Sequence, residues 1–162
     1  MKHFNNLVYK ILKNSPKRFV KIFSKRYVAG FTFNDTLKIC KNLNNEGFLL
    51  TLDILGEHTK TEKESKNITN LYKKLLITIN NEKIDANISI KPSHIGHDLG
   101  FNIFQKNLII LIETAQKLSN FIRIDMESSN LTDDTISIYK NLSKKYSNFG
   151  IVFQSYLLRT QN

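Results

Sequence analysis

The sequence predicts an α/β fold in which parallel strands and helices alternate, arranged as a segment of a (β/α)-barrel. Three observations carry this reading. Apolar runs of strand length alternate with segments whose apolar residues recur at helical spacing, which indicates parallel strands joined by crossover helices. The helical segments open on capping signals. Each strand also carries a polar residue late on one face, whereas the central strands of an open doubly wound sheet are apolar on both.

The elements follow in order. Met1–Arg26 is basic and helical in pattern, with Phe4, Leu7, Val8, Ile11 and Leu12 at helix spacing before Ser15-Pro16 interrupts it. It reads either as a pair of helices packed on the domain, the favoured reading, or as an amphipathic segment on an anionic membrane. After a turn at Ala29-Gly30, the helix Thr32–Glu46 starts on Thr32 with Asp35 three residues on, and Gly47 suits the position just past its end. Phe48–Leu55 reads as a strand and Thr61–Asn80 as a helix opened by Thr61-x-x-Glu64. Ala86–Pro92 is the second strand and Asn107–Leu118 the next helix. Phe121–Met126 is the third strand, followed by a helix over Asp133–Tyr146 begun by Thr132. Gly150–Tyr156 is the fourth strand.

Alternation along each strand sorts the side chains by face. Leu50, Leu52 and Ile54 oppose Thr51 and Asp53; Ile88 and Ile90 oppose Ser89 and Lys91; Ile122 and Ile124 oppose Arg123 and Asp125; Ile151 and Phe153 oppose Val152 and Gln154. Ionised groups are costly to bury and add little stability compared with apolar packing, so four polar faces in a row point to a functional surface. Lys91 offers a cation to a carboxylate or phosphate, Asp125 an anion, and Gln154 both a donor and acceptors for the edge of a heterocycle. The residues therefore suggest an acidic small molecule at the C-terminal ends of the strands, and name no reaction.

Composition narrows the alternatives. At 162 residues the chain has the length of one domain, with 41% hydrophobic and 23% charged residues. The net charge of +10 is spread along the chain and goes with heavy use of Lys, Asn and Ile, so it reads as a compositional bias before a basic binding face. Aromatic residues do not interleave with basic ones on any strand, and nucleic acid is not an expected partner. Cys40, alone, excludes an internal disulfide and reads as a buried thiol on a helix. No apolar run approaches the roughly 20 residues of a membrane span, and no secretory signal is visible, which gives a cytoplasmic expectation. His94-x-x-His97 is at most half a metal site, and loop histidines are the favoured reading. Gly-rich phosphate loops and a nucleophile elbow are missing.

Five stretches, taken in order, resemble the proline dehydrogenase family: RYVAGFTFNDTL (Arg26–Leu37), LLTLDILGE (Leu49–Glu57), ISIKPSHIGHDLG (Ile88–Gly100), FIRIDMESSNLTDDT (Phe121–Thr135) and GIVFQSYLLRT (Gly150–Thr160). Beyond the basic helical segment, taken as 1–30, the resemblance implies over 31–162 the N-terminal half of a (β/α)8 TIM barrel. It implies an FAD-dependent oxidation of L-proline to 1-pyrroline-5-carboxylate, with electrons passing to a quinone and a peripheral contact with the inner membrane. By the same resemblance Lys91 binds the substrate carboxylate, Asp125 is the active-site aspartate, and Met126 and Gln154 contact the flavin. Phe31 stands where an acid is common, and Pro92 where Leu follows the lysine, which could shift the end of the second strand. The family's later strands and their arginines have no counterpart here. The expectation is a half-barrel, inactive alone, that needs a complementary half or a second copy; the alternative is a non-catalytic remnant acting only by association.

Overall fold

The computed structural model describes residues 32–161. The basic segment Met1–Arg26, the turn at Ala29-Gly30 and Phe31 lie outside the described residues. The chain divides into two compact units, the first ending at Phe48 and the second beginning at Leu49.

In the first unit, helix α1 (Phe33–Asn45) begins where the Thr32 hydroxyl accepts the Asp35 amide at 3.2 Å. It closes with the Gly47 amide on the Asn44 carbonyl at 2.9 Å and the Phe48 amide on that of Leu43 at 3.0 Å. Cys40, on this helix, is buried, and burial pushes its thiol pKa up.

The second unit is a four-stranded parallel sheet, β1 (Leu50–Asp53), β2 (Ala86–Ile90), β3 (Ile122–Ile124) and β4 (Phe149–Ile151), in the spatial order β1-β2-β3-β4. Helices α2 (Glu62–Asn81), α3 (Phe101–Lys117) and α4 (Ser129–Leu142) separate the strands. A doubly wound sheet reverses its strand order at a switch point; this one runs without reversal, as barrel walls do. The fold is α/β, a partial (β/α)8 barrel.

The core lies between the helices and the isoleucine face of the sheet. Ile88, Ile90, Ile122 and Ile124 are fully buried, as are Tyr72, Leu76, Phe104, Leu108, Leu111, Ile112 and Ile138 from the helices. Helix α2 packs on β2 and α3, α3 on β3, and α4 on β4. Each fully buried aliphatic side chain contributes about 1.5–3 kcal/mol, so these residues hold the wall together.

The strands are shorter than the apolar runs that predict them: β1 covers only Leu50–Asp53, and β4 ends at Ile151, one residue before the Val152 amide makes a last ladder bond to the Ile124 carbonyl at 3.0 Å. Two helices start early. Helix α3 begins at Phe101 and not at Asn107, so Asn107 sits in its interior, where it donates to the Ser65 hydroxyl at 2.8 Å and the Ile95 carbonyl at 2.9 Å. Helix α4 begins at Ser129 after Ser128, which places Thr132 inside it and leaves no acid in its first turn. It also ends at Leu142; Tyr146 lies beyond it, buried, with its hydroxyl on Glu113 at 2.7 Å.

Candidate active site

The register of the sheet aligns the polar residues. Asp53 pairs with Ser89, Ser89 with Arg123, and Arg123 with Gly150, so these positions form one row across the face opposite the isoleucines. One residue pair further on, Lys91 and Asp125 follow the ends of β2 and β3, and the Asp125 amide continues the ladder to the Ile90 carbonyl at 2.9 Å.

Side chains join across the strands at this end. Lys91 Nζ lies 2.6 Å from Asp53 Oδ2 and 3.9 Å from Asp125 Oδ2. The second Asp53 oxygen accepts the Tyr72 hydroxyl at 2.8 Å. Asp125 Oδ1 accepts from the Ser89 hydroxyl at 2.5 Å and lies 3.4 Å from Arg123 Nε. The Lys91, Asp53 and Asp125 side chains are 25%, 25% and 26% exposed, sheltered enough to interact strongly and open enough to meet a ligand. Burial opposes the charge on Lys91, but the hydrogen bond it donates to Asp53 and the nearby carboxylates outweigh it and raise the ammonium pKa. Tyr72 is raised too, by burial first and then by the Asp53 charge, so its hydroxyl stays protonated and donates.

Pro92 leaves Lys91 in this cluster. It opens the first of two short 3-10 turns, Ser93–Ile95 and His97–Leu99, only after the lysine has left the strand. Ser93, fully buried, fastens three loops: its amide and hydroxyl donate to Glu127 at 2.8 and 2.7 Å, its hydroxyl accepts the His58 amide at 3.3 Å, and its carbonyl accepts the Thr59 amide at 3.2 Å.

Met126 and Gln154 meet in a small cleft with Thr132, Ile136, Phe153 and Leu157. The Gln154 carbonyl accepts from Leu157 and from the Thr160 hydroxyl, which fixes its backbone. The structure thus groups the four sequence candidates as two pairs, Lys91 with Asp125 and Met126 with Gln154. A larger cavity of about 500 Å³ opens at the opposite, N-terminal ends of the strands, between Leu50, Asn87 and Phe121, away from these groups.

The two loop histidines diverge. His97 Nε2 bonds to Asp134 at 2.8 Å, while His94 is buried against Tyr72 and Gly56, with a pKa lowered chiefly by burial. Among the described residues no three of His, Cys, Asp or Glu gather as a metal site. Sequence reasoning missed Asp53, Tyr72, Ser89, Ser93 and Glu127 as members of the site. Asp53 and Ser89 were visible as polar alternates, but their partners depend on the register; Tyr72 looked like core.

Comparison with known proteins bears on the same segments. The family model described as proline dehydrogenase matches residues 36–162. Proline dehydrogenase 1 of Bacillus subtilis subsp. natto is 32% identical over 139 residues, covering 86% of this chain and 46% of the relative. Proline dehydrogenase 2 of Bacillus subtilis (strain 168) is 27% identical over 141 residues, covering 87% and 46%. The chain spans about half the length of the curated relatives it matches. Among solved structures, proline utilization A from Bdellovibrio bacteriovorus inactivated by N-propargylglycine superimposes with a TM-score of 0.79 at 23% identity, covering 89% of this chain and 18% of that one. A proline utilization A mutant from Bradyrhizobium japonicum gives 0.64 at 19% identity, covering 81% and 15%. These structural likenesses concern the fold. With the family model spanning all four strands and the polar row they carry, this chain belongs to the proline dehydrogenase family.

Proposed function

We propose that this chain forms the substrate-carboxylate and flavin-facing wall of an enzyme that oxidises L-proline to 1-pyrroline-5-carboxylate, with FAD as cofactor and a quinone as final acceptor. The observation that carries the reading is the juxtaposition of Lys91 and Asp125, a cation and an anion 3.9 Å apart at the C-terminal ends of adjacent barrel strands. A cyclic amino acid offers the complementary charges, a carboxylate for Lys91 and a ring nitrogen for Asp125. The Ser89 hydroxyl and Arg123 fix the orientation of the Asp125 carboxylate.

The residues present fit a flavin. Met126 supplies an apolar contact, and the Gln154 side-chain amide, partly exposed over the cleft, carries the donor and acceptors that a heterocycle edge requires. When bound, the flavin would accept the hydride from the substrate carbon next to nitrogen. The protein's own work is to bind the carboxylate at Lys91, keep an anion at Asp125 and present the ring carbon to the Met126–Gln154 side. We assign the activity to an assembled barrel, since among the described residues β1 and β4 each have one strand neighbour. In the same proposal the enzyme works in the cytoplasm and meets its quinone acceptor peripherally at the inner membrane, with residues 1–30 a basic segment ahead of the barrel half. No helix among the described residues is long and apolar enough to cross a membrane.

The test is proline-dependent dye reduction by the full protein containing this chain, with flavin absorbance recorded alongside. Asp125→Ala should lower kcat/KM about 100-fold or more while flavin stays bound, and Lys91→Met should raise KM for proline about tenfold or more. A wild-type protein that neither holds flavin nor oxidises proline would refute the proposal.

A further inference from the structure

We infer that Asp53, clamped by the Tyr72 hydroxyl, is a positioning residue that holds the Lys91 ammonium away from Asp125 and leaves Asp125 and the remaining ammonium donors to a ligand bearing a carboxylate and an amine. This rests on the functional reading above, in which Lys91 takes the substrate carboxylate.

The geometry is specific. A lysine ammonium on a flexible four-carbon stem moves to the nearest well-placed carboxylate. Two are within reach of Lys91, and the distances are unequal: 2.6 Å to Asp53 against 3.9 Å to Asp125. A shift of little more than 1 Å would close the second contact. The lysine would then be spent on Asp125, and a ligand would have to break that pair to engage either group.

Asp53 can outcompete Asp125 because its carboxylate is fixed. One oxygen takes the Tyr72 hydroxyl at 2.8 Å, which leaves the other aimed at Lys91. Tyr72 cannot swing away, because its ring is fully buried on α2 and its hydroxyl has only the Ile54 carbonyl, at 3.4 Å, as a second acceptor among the described residues. The chain of contacts therefore runs from a rigid helix through Asp53 to a mobile cation. Asp125 has its own neutral anchor in the Ser89 hydroxyl, so it keeps its orientation without the lysine.

The test uses the full protein with flavin bound. Binding of a saturated five-membered ring carboxylate with oxygen in place of the ring nitrogen, which cannot be oxidised in the same way, is measured by calorimetry, beside kcat and KM for proline. Asp53→Asn keeps the size and the Tyr72 contact but loses the charge that holds Lys91. It should weaken carboxylate binding and raise KM about tenfold, the scale of one charged hydrogen-bond partner, with kcat within about threefold of wild type. A general loosening of the barrel would instead lower kcat and flavin content. Tyr72→Phe should raise KM about threefold with flavin content unchanged, and should add nothing in the Asp53→Asn background, because it acts only through that carboxylate.

Asp53→Asn binding and KM within twofold of wild type would overturn the inference, and so would a Tyr72→Phe effect that persists in the double variant. If Asp53→Asn fails to fold, Tyr72→Phe alone decides, an unchanged KM overturning the inference. A wild-type protein that binds neither the ring carboxylate nor proline would instead overturn the functional reading and this inference with it.

Discussion

Replacing Gly56 with alanine should destabilise the second unit more than its exposed loop position suggests. Gly56 follows β1 with φ +153°, a backbone conformation that side chains rarely adopt. A β-carbon there would lie 2.4 Å from His94 Nε2 and 2.6 Å from Cε1. The imidazole is rigid, 4% exposed, and stands edge-on to the Tyr72 ring at a centroid distance of 6.1 Å, so it has no free volume to retreat into. The backbone strain costs about 1–3 kcal/mol and the overpacking about another 1–3. Gly100→Ala is the control: φ is +136°, but nothing lies within 4 Å of the added carbon, so that variant carries the backbone strain without the clash. Urea denaturation of the full protein should show a lower midpoint for Gly56→Ala than for Gly100→Ala, by about 1–3 kcal/mol at constant m. In a His94→Ala background the excess should vanish. Equal costs for the two glycines, or an excess that survives His94→Ala, would refute the packing argument.

Two further outcomes follow from buried polar groups. Ser93→Ala should cost about 1–3 kcal/mol by thermal melting, because it removes one of two hydrogen bonds to Glu127 and the acceptor for the His58 amide. The histidines should act on stability with opposite signs. The His94 pKa lies below the ordinary 6.5, so the unfolded chain binds a proton first and the contribution of His94 is lost as pH falls below about 6.5 through its folded value. The His58 pKa is raised, first by its hydrogen bond to Asp98 at 2.7 Å, so its contribution is present below about 6.5 and is lost as pH rises through its folded value. Melting curves against pH for His94→Gln and Asp98→Asn separate them: the first should flatten the acid side, the second the step above 6.5.

The wall of the barrel was legible because its signals are local. Isoleucine alternation located β2 and β3, and the Thr61 cap, whose hydroxyl accepts the Glu64 amide at 3.2 Å, located α2. The start of α3 was hidden because Phe101–Lys106 follows a glycine that makes no side-chain cap, and Asn107, which resembles a cap residue, is spent on tertiary hydrogen bonds. Ser128 and Thr132 are both plausible caps by type, and in the fold neither side chain caps α4. Within the site, Lys91 and Asp125 stood out as charges on apolar strands. Asp53 did not, because nothing in the spacing of β1 and β2 says that it accepts from a lysine 38 positions further on. Tyr72 shows the same blindness from the other side: its ring satisfies the helical apolar pattern, and only its hydroxyl, which the pattern ignores, reaches the site.

The charge of the chain and the charge of the site are separate matters. The sequence has 24 basic and 14 acidic residues, a net of +10. The cluster at this end sets Lys91 and Arg123 against Asp53 and Asp125, with the Glu127 carboxylate close by, and so carries none of the positive excess. A site built to attract a phosphate or an anionic polymer would concentrate the excess. Here the excess lies elsewhere, and opposite charges stand side by side, Lys91 between Asp53 and Asp125 and Arg123 beside Asp125. Such an array has little net field at a distance and strong gradients at contact. It discriminates by the relative placement of charges within a small molecule, and a zwitterion whose carboxylate and amine lie a few bonds apart matches a cation and an anion 3.9 Å apart better than a simple anion does.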